Sequence, residues 1–242
     1  MIKSLFGCIR KRNRRIKPFY QQYELFKRLQ LTDRFSHSSN DLFPCLNDNT
    51  NETSFDAHYI YHPAWAARII RDINPEFHID ISSTLHFSTI LSAFIPVNFY
   101  DYRPANLILD NLKSGKANLT NLFFDDNSVS CISCMHTVEH IGLGRYGDEL
   151  DPEGDIKAIN ELKRICQRSG NILFVVPVGK PVLRFNAHRI YSTEMIINYF
   201  NGFELLNFSL VTDEGTFVSP CSLSLANEQA YGCGCFWFRK TE

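Results

Sequence analysis

From residue 77 onward, short β-type apolar runs alternate with stretches of helical apolar spacing. That alternation limits the fold more than any other feature. Phe77–Ile81, Val97–Tyr100, Val129–Met135 and Asn171–Val176 read as strands. Leu85–Ala93, Asp155–Cys166 and Thr193–Phe200 read as helices, the second with Ile156, Ile159, Leu162 and Ile165 inward. Ser169-Gly170 and Asn201-Gly202 supply helix stops. Phe203–Val211 and Tyr231–Arg239 read as two late strands joined without a helix. The pattern predicts an α/β fold: a mostly parallel, Rossmann-like sheet with an antiparallel last strand.

The chain has 242 residues, enough for one large domain with an appendage. Residues 19–31 show helical spacing, and residues 32–57 are rich in Ser, Asn, Asp and Thr and read as loop. Residues 58–72 again look helical, with Trp65, Ile69 and Ile70 inward. The boundary is therefore drawn between an extension, 1–57, and an α/β domain, 58–242. Net charge is −1 but unevenly spread. Residues 3–17 hold seven cations (Lys3, Arg10, Lys11, Arg12, Arg14, Arg15, Lys17) and no acid, so the remainder is acidic. An acidic body argues against nucleic acid as the domain's partner. The basic arm has three readings: a disordered tail, a contact for anionic lipid head groups aided by Leu5, Phe6 and Ile9, or a contact for nucleic acid; for a glycan-associated enzyme the membrane surface is the coherent one. No apolar run approaches the roughly 18 residues that cross a bilayer. Eight cysteines and no signal peptide point to a cytoplasmic chain with reduced thiols. Cys131-x-x-Cys134 falls within a strand, where positions three apart face opposite sides. Both read as small core residues, as do Cys233 and Cys235.

In open α/β sheets, ligands bind beyond the carboxyl ends of the strands. Polar residues concentrate there: Asp80, Ser82 and Ser83; Asp101 and Arg103; Asn118; His136, Glu139 and His140; and the loop after Pro177 with Asn186, His188 and Arg189. Gly142-x-Gly144-x-x-Gly147 matches a dinucleotide fingerprint literally but follows the fourth strand and runs into loop, so it reads as a polar lid. Arg145, Tyr146 and Asp148 on that lid are candidate substrate contacts. His136-x-x-Glu139-His140 resembles an inverted zinc-protease motif, but no third ligand follows on a helix, and no metal is assigned. The preferred reading makes His136, Glu139 and His140 the catalytic group, with Glu139 or His140 as general base. Arg189 can fork onto a phosphate, or serve a structural ion pair.

Asp80, Asp101, the run Asn127–Ile141 and the run Arg164–Pro177 together resemble the class I S-adenosylmethionine-dependent methyltransferases. More narrowly, HTVEHIGLGRYGDELDPEGD (136–155), FNAHRIYS (185–192) and YGCGCFWF (231–238) resemble the DUF268 family of methyltransferase-like proteins, which is similar to proteins of surface-polysaccharide gene clusters. The resemblance implies S-adenosylmethionine as cofactor, held by Asp80, Ser82, Ser83, Asp101 and Asn118, with Asp101 on the ribose hydroxyls and Asn118 accepting from the adenine amino group. It also implies transfer to a hydroxyl of a sugar or glycan intermediate held by Arg145, Tyr146, Asp148, Asn186, His188 and Arg189, at the inner membrane surface where lipid-linked precursors sit. One departure stands out: the turn Ile81–His86 contains no glycine. Two rival readings follow from it, a non-catalytic glycan-binding or scaffold protein on the same fold, and a sugar-modifying enzyme that works without S-adenosylmethionine.

Overall fold

The structure is a computed structural model. It describes residues 2–241 apart from 33 and 36, with side chains from residue 16 onward. The chain forms two compact units, Met1–Ser54 and Phe55–Glu242.

In the first unit, α1 spans Ile2–Leu29 and passes through Pro18. A 3-10 turn follows at Ser39–Asp41, where Ser38 and Asp41 form a capping box. The segment read as an arm plus a separate helix is thus one continuous helix. The basic side chains of residues 3–15 lie outside the described residues; Lys17 is exposed.

The second unit opens with α2 (Ala57–Ile73), capped by Asp56 at its start and by Asn74 in the left-handed region at its end. Then come β1 (His78–Ile81), α3 (Leu85–Leu91), β2 (Val97–Asp101), β3 (Leu112–Lys116) and β4 (Val129–Met135). The amphipathic α4 (Gly154–Ile165) leads into β5 (Cys166–Val178). A small hairpin, β6 (Val182–Arg184) and β7 (His188–Ile190), precedes α5 (Thr193–Tyr199). The chain closes with β8 (Phe203–Val211), β9 (Phe217–Val218), α6 (Leu223–Asn227) and β10 (Gly232–Lys240). The main sheet has the order β3-β2-β1-β4-β5-β10-β8-β9. Its first five strands are parallel neighbours, and β10 lies antiparallel between β5 and β8. This is the predicted α/β sheet with its antiparallel last strand.

Both sheet faces are covered, which is why the central strands read as nearly continuous apolar runs. Along β5, Ile172, Phe174 and Val176 enter the layer under α4, while Leu173 and Val175 enter the layer under α2. Cys131 and Cys134 fall in opposite layers for the same reason. α2 buries His62, Trp65, Ala66, Ile69 and Ile70, the stripe expected of a helix packed on a sheet.

The structure departs from the sequence expectation at four places. β3 is a polar edge strand with one buried residue, Leu112, and so lacks an apolar run. Gly115 on it lets the Tyr100 ring lie close, since a Cβ there would be 2.9 Å from that ring. β5 starts at Cys166, with Ser169-Gly170 forming an irregularity against β4 inside the strand instead of a connection. The loop after Pro177 holds the β6–β7 hairpin, and α6 with β9 lies between β8 and β10.

Candidate functional site

The carboxyl ends of β1 to β4 form one rim. A cavity of about 380 Å³ opens along it, lined by Ser82, by Asp101 to Arg103, by Ala117 to Thr120, and by His136, Thr137 and His140 with the following loop. A second cavity, of about 490 Å³, opens beside it between α2, the loop after β4, the β6–β7 hairpin and Tyr231. His136, His140 and Tyr146 line both, so these three side chains form the shared wall.

Asp80 organises the first rim from beneath. It is fully buried, accepting 2.6 Å from Ser133 Oγ and also from Ser88 Oγ. His78 in turn is hydrogen-bonded to Ser133, Nε2 to Oγ at 2.8 Å. Burial raises the Asp80 carboxyl from 3.8 to about 6, against the lowering effect of its serine partners. The turn after β1 is braced by its own serines. Ser82 takes φ 59°, the left-handed conformation that a glycine adopts without cost, and its Oγ donates to Tyr100 O at 3.1 Å. Ser83 Oγ accepts from Met135 N at 3.1 Å. Asp80 and Ser83 therefore sit behind the rim and not on the cavity wall, in structural roles where ligand contacts were expected, while Ser82 does line the cavity.

At the end of β2, Asp101 lines the cavity with Oδ1 accepting from Arg103 N at 2.6 Å. Asn118 lines it too, but its Oδ1 already accepts from both Thr120 N and Thr120 Oγ1. The accepting role read for Asn118 is thus taken within its own turn.

The wall between the cavities rests on Glu139, 1% exposed. His136 takes φ 55°, an uncommon conformation for a histidine, and donates from Nδ1 to Glu139 Oε1 at 2.9 Å. Among the described residues its Nε2 has no hydrogen-bond partner, nor has Glu139 Oε2. His140 donates from Nδ1 to Ala187 O at 2.6 Å, and its Nε2 lies 3.8 Å from Glu139 Oε1. A carbonyl only accepts, so Nδ1 of His140 carries a hydrogen, and in the neutral ring Nε2 is the nitrogen with the lone pair.

The loop read as a lid is a braced turn. Gly142, Gly144 and Gly147 all take positive φ. The Asp148 carboxylate accepts from Gly142 N at 2.7 Å and Tyr146 N at 3.2 Å, so it holds the loop together as well as lining the first cavity. Arg145 donates to Ala187 O at 3.2 Å and packs over Tyr146, on the wall of the second cavity. Asn186 and His188 line that cavity, and burial lowers the pKa of His188. Arg189 lines neither. It is 9% exposed, donates to Ile141 O and Pro152 O, and pairs with Asp155 at 3.5 Å, which makes it the structural arginine of the two roles considered.

Other residues at the site escaped the sequence reading. Tyr59 and Tyr231 supply aromatic faces to the second cavity. His58 stacks on His136 at 5.6 Å and on Tyr231 at 5.4 Å. Burial, with His136 next in effect, lowers His58 to about 4. His62 is fully buried and donates from Nδ1 to His58 O at 2.7 Å, with no hydrogen-bond partner for Nε2 among the described residues. The spacing His58-x-x-x-His62 on a predicted helix was the available signal.

A parallel sheet of this order, with polar strand ends around a cavity and an antiparallel strand inserted after the fifth, defines the Rossmann-like fold of the S-adenosylmethionine-dependent methyltransferases. Residues 120–228, just under half of the chain, match the family described as Caenorhabditis protein of unknown function, DUF268. Two of the three runs that resemble that family lie inside this stretch. The uncharacterized protein MJ0638 of Methanocaldococcus jannaschii is 25% identical over 107 residues, which are 43% of this chain. The matched stretch spans only 41% of that relative's length. Among solved structures, the 1,6-didemethyltoxoflavin N1-methyltransferase of Burkholderia thailandensis, with bound S-adenosylhomocysteine, aligns at TM-score 0.54 and 10% identity, covering 75% of this chain and 79% of that one. The N-methyltransferase NodS of Bradyrhizobium japonicum, in complex with S-adenosylhomocysteine, aligns at TM-score 0.52 and 11% identity, covering 74% and 86%. At these identities the likeness is one of fold.

Proposed function

We propose that the chain is an S-adenosylmethionine-dependent methyltransferase acting on a hydroxyl of a sugar or surface-glycan intermediate. One observation carries the reading: two cavities meet at a wall where His140 donates from Nδ1 to Ala187 O, which leaves Nε2 as the nitrogen that can take a proton. Cofactor and acceptor would each take one cavity and meet where the two join beside that wall, the acceptor oxygen bonding to the methyl carbon as its bond to sulfur breaks.

The first cavity suits the cofactor. Its volume falls in the range of small-molecule sites. Asp101 stands at the end of β2 with a carboxylate for the ribose hydroxyls, and Ser82 keeps the glycine-like backbone path of the turn after β1. S-adenosylmethionine, when bound, supplies an activated methyl group. The chain's own part is positioning and proton removal. His140 Nε2 takes the proton of the acceptor hydroxyl. Glu139, 3.8 Å away, stabilises the resulting imidazolium, and Ala187 O holds the ring in place. Arg145, Asn186 and His188 offer polar contacts, while Tyr59, Tyr146 and Tyr231 offer ring faces, a mixture suited to a sugar.

A second reading, a glycan-binding protein without the cofactor, is favoured by Ser82, whose side chain occupies the wall where a glycine would leave room. The cationic stretch Lys3–Lys17 supports a place in the cytoplasm against the inner membrane surface. Among the described residues no helix is long and apolar enough to cross a membrane.

The test is incubation with methyl-labelled S-adenosylmethionine and a panel of nucleotide-linked sugars and lipid-linked glycans. Label should enter an O-methyl ether of a sugar. Label entering only nitrogen-bearing, sugar-free acceptors would overturn the acceptor class.

A further inference from the structure

α2 brings a histidine pair behind the wall of the second cavity, with both rings against His136. His58 and His62 stand one turn apart on the same helix side. Opposite them are His136, just after β4, and Cys233, at the start of β10. One ligand atom from each of His58, His136 and Cys233 lies within 4.8 Å of the other two. None of the proton-transfer chemistry above uses His58 or Cys233.

We propose that His58, His136 and Cys233 form a binding site for a divalent transition ion of the zinc class. Three observations carry it. Two imidazoles and a thiol converge, the donor set that borderline-soft ions select over hard ones. His136 Nε2 is orphaned on a side chain only 4% exposed, so a buried lone pair points at no donor. Finally, His136 gives its Nδ1 hydrogen to the buried Glu139 carboxylate, the arrangement that fixes a metal-binding histidine with Nε2 outward. A helical stripe burying His62 for packing alone would not also align His58 with His136 and a cysteine from the antiparallel strand beside β5.

Tetrahedral bonds of about 2.0–2.3 Å set ligand atoms roughly 3.5 Å apart, so the three side chains would close in by about 1 Å on binding. Cys233 binds as thiolate and releases its proton to solvent. Three protein ligands leave a fourth position, which His62 Nε2 or an oxygen ligand would fill. An acceptor oxygen in that position would tie the ion to the reaction; this last step rests on the methyltransferase reading, and the site itself does not.

Cobalt(II) titration of the full, chelator-stripped chain tests the site, because thiolate ligation to cobalt gives a charge-transfer absorption that needs neither cofactor nor acceptor. One equivalent should bind with that band. Cys233→Ser should abolish the band, and His58→Ala, at a half-buried helix position where folding tolerates the change, should weaken binding at least about tenfold. Glu139→Gln should weaken it about 10–100-fold through His136. Circular dichroism checks the fold of each variant. No saturable binding, or a one-equivalent complex without a thiolate band in the unsubstituted chain, would overturn the site. So would affinity unchanged in folded His58→Ala.

Discussion

His140 donates its Nδ1 hydrogen to the carbonyl of Ala187 at 2.6 Å, and so the β6–β7 hairpin dictates which nitrogen of His140 can act as a base. The hydrogen bond fixes the ring between two cavities and makes Nε2 the lone-pair nitrogen of the neutral ring. His140→Ala should therefore lower turnover by roughly 10²- to 10⁴-fold while leaving S-adenosylhomocysteine affinity nearly unchanged. Turnover equal to that of the unsubstituted chain would remove His140 from the chemistry.

Asp80 makes stability depend on pH in an uncommon direction. Its folded-state carboxyl titrates at about 6 against 3.8 in the ordinary state, so between those values the folded chain holds a proton that the unfolded chain has released. The contribution is complete below about pH 4 and is lost as pH rises through about 6, at a cost on the order of 2–3 kcal/mol by neutrality. Asp80→Asn keeps an acceptor for Ser88 and Ser133 but does not titrate. Urea midpoints followed between about pH 4 and 7 should fall with rising pH less steeply in the variant; equal slopes would mean Asp80 titrates normally.

Ser82 holds a conformation that costs a non-glycine residue about 1 kcal/mol. Ser82→Gly removes that strain and the hydroxyl bond to Tyr100 O, while loosening the unfolded chain, so stability should change by less than about 1 kcal/mol. Cofactor affinity should rise, because the Cβ leaves the cavity wall. A drop in affinity would show that the hydroxyl, not the backbone, serves the ligand.

The loop glycines are not equivalent. A Cβ on Gly142 would lie 2.0 Å from Asp151 O, whereas one on Gly147 meets nothing within 4 Å. Thermal unfolding should show Gly142→Ala destabilised by about 2–4 kcal/mol and Gly147→Ala by about 1 kcal/mol. Similar losses at both would mean that the loop moves aside.

The strand ends are legible in the sequence because burial on both faces makes β4 and the later part of β5 nearly continuous apolar runs, and the first polar residues beyond the strands mark the rim. Asp101 and His136 are found this way. The same rule places Asp80 at a strand end but cannot tell a wall residue from a buried brace, since both are polar. Arg189 is ambiguous for a similar reason: five donors suit phosphate and backbone carbonyls alike. β3 is hidden because an edge strand needs no apolar pattern. The contribution of α2 is hidden most deeply. His58 and His62 lie on a helix that reads as ordinary core, and only the packing of that helix against β10 brings Cys233 to them.

Calorimetric titration with S-adenosylhomocysteine, run on the unsubstituted chain and on Asp101→Ala, bears most directly on the cofactor cavity. Micromolar binding that Asp101→Ala weakens at least tenfold, by removing a charge-assisted hydrogen-bond acceptor, is the expected result. No binding up to millimolar would contradict it, and would leave the rim at the ends of β1 to β4 to a sugar ligand alone.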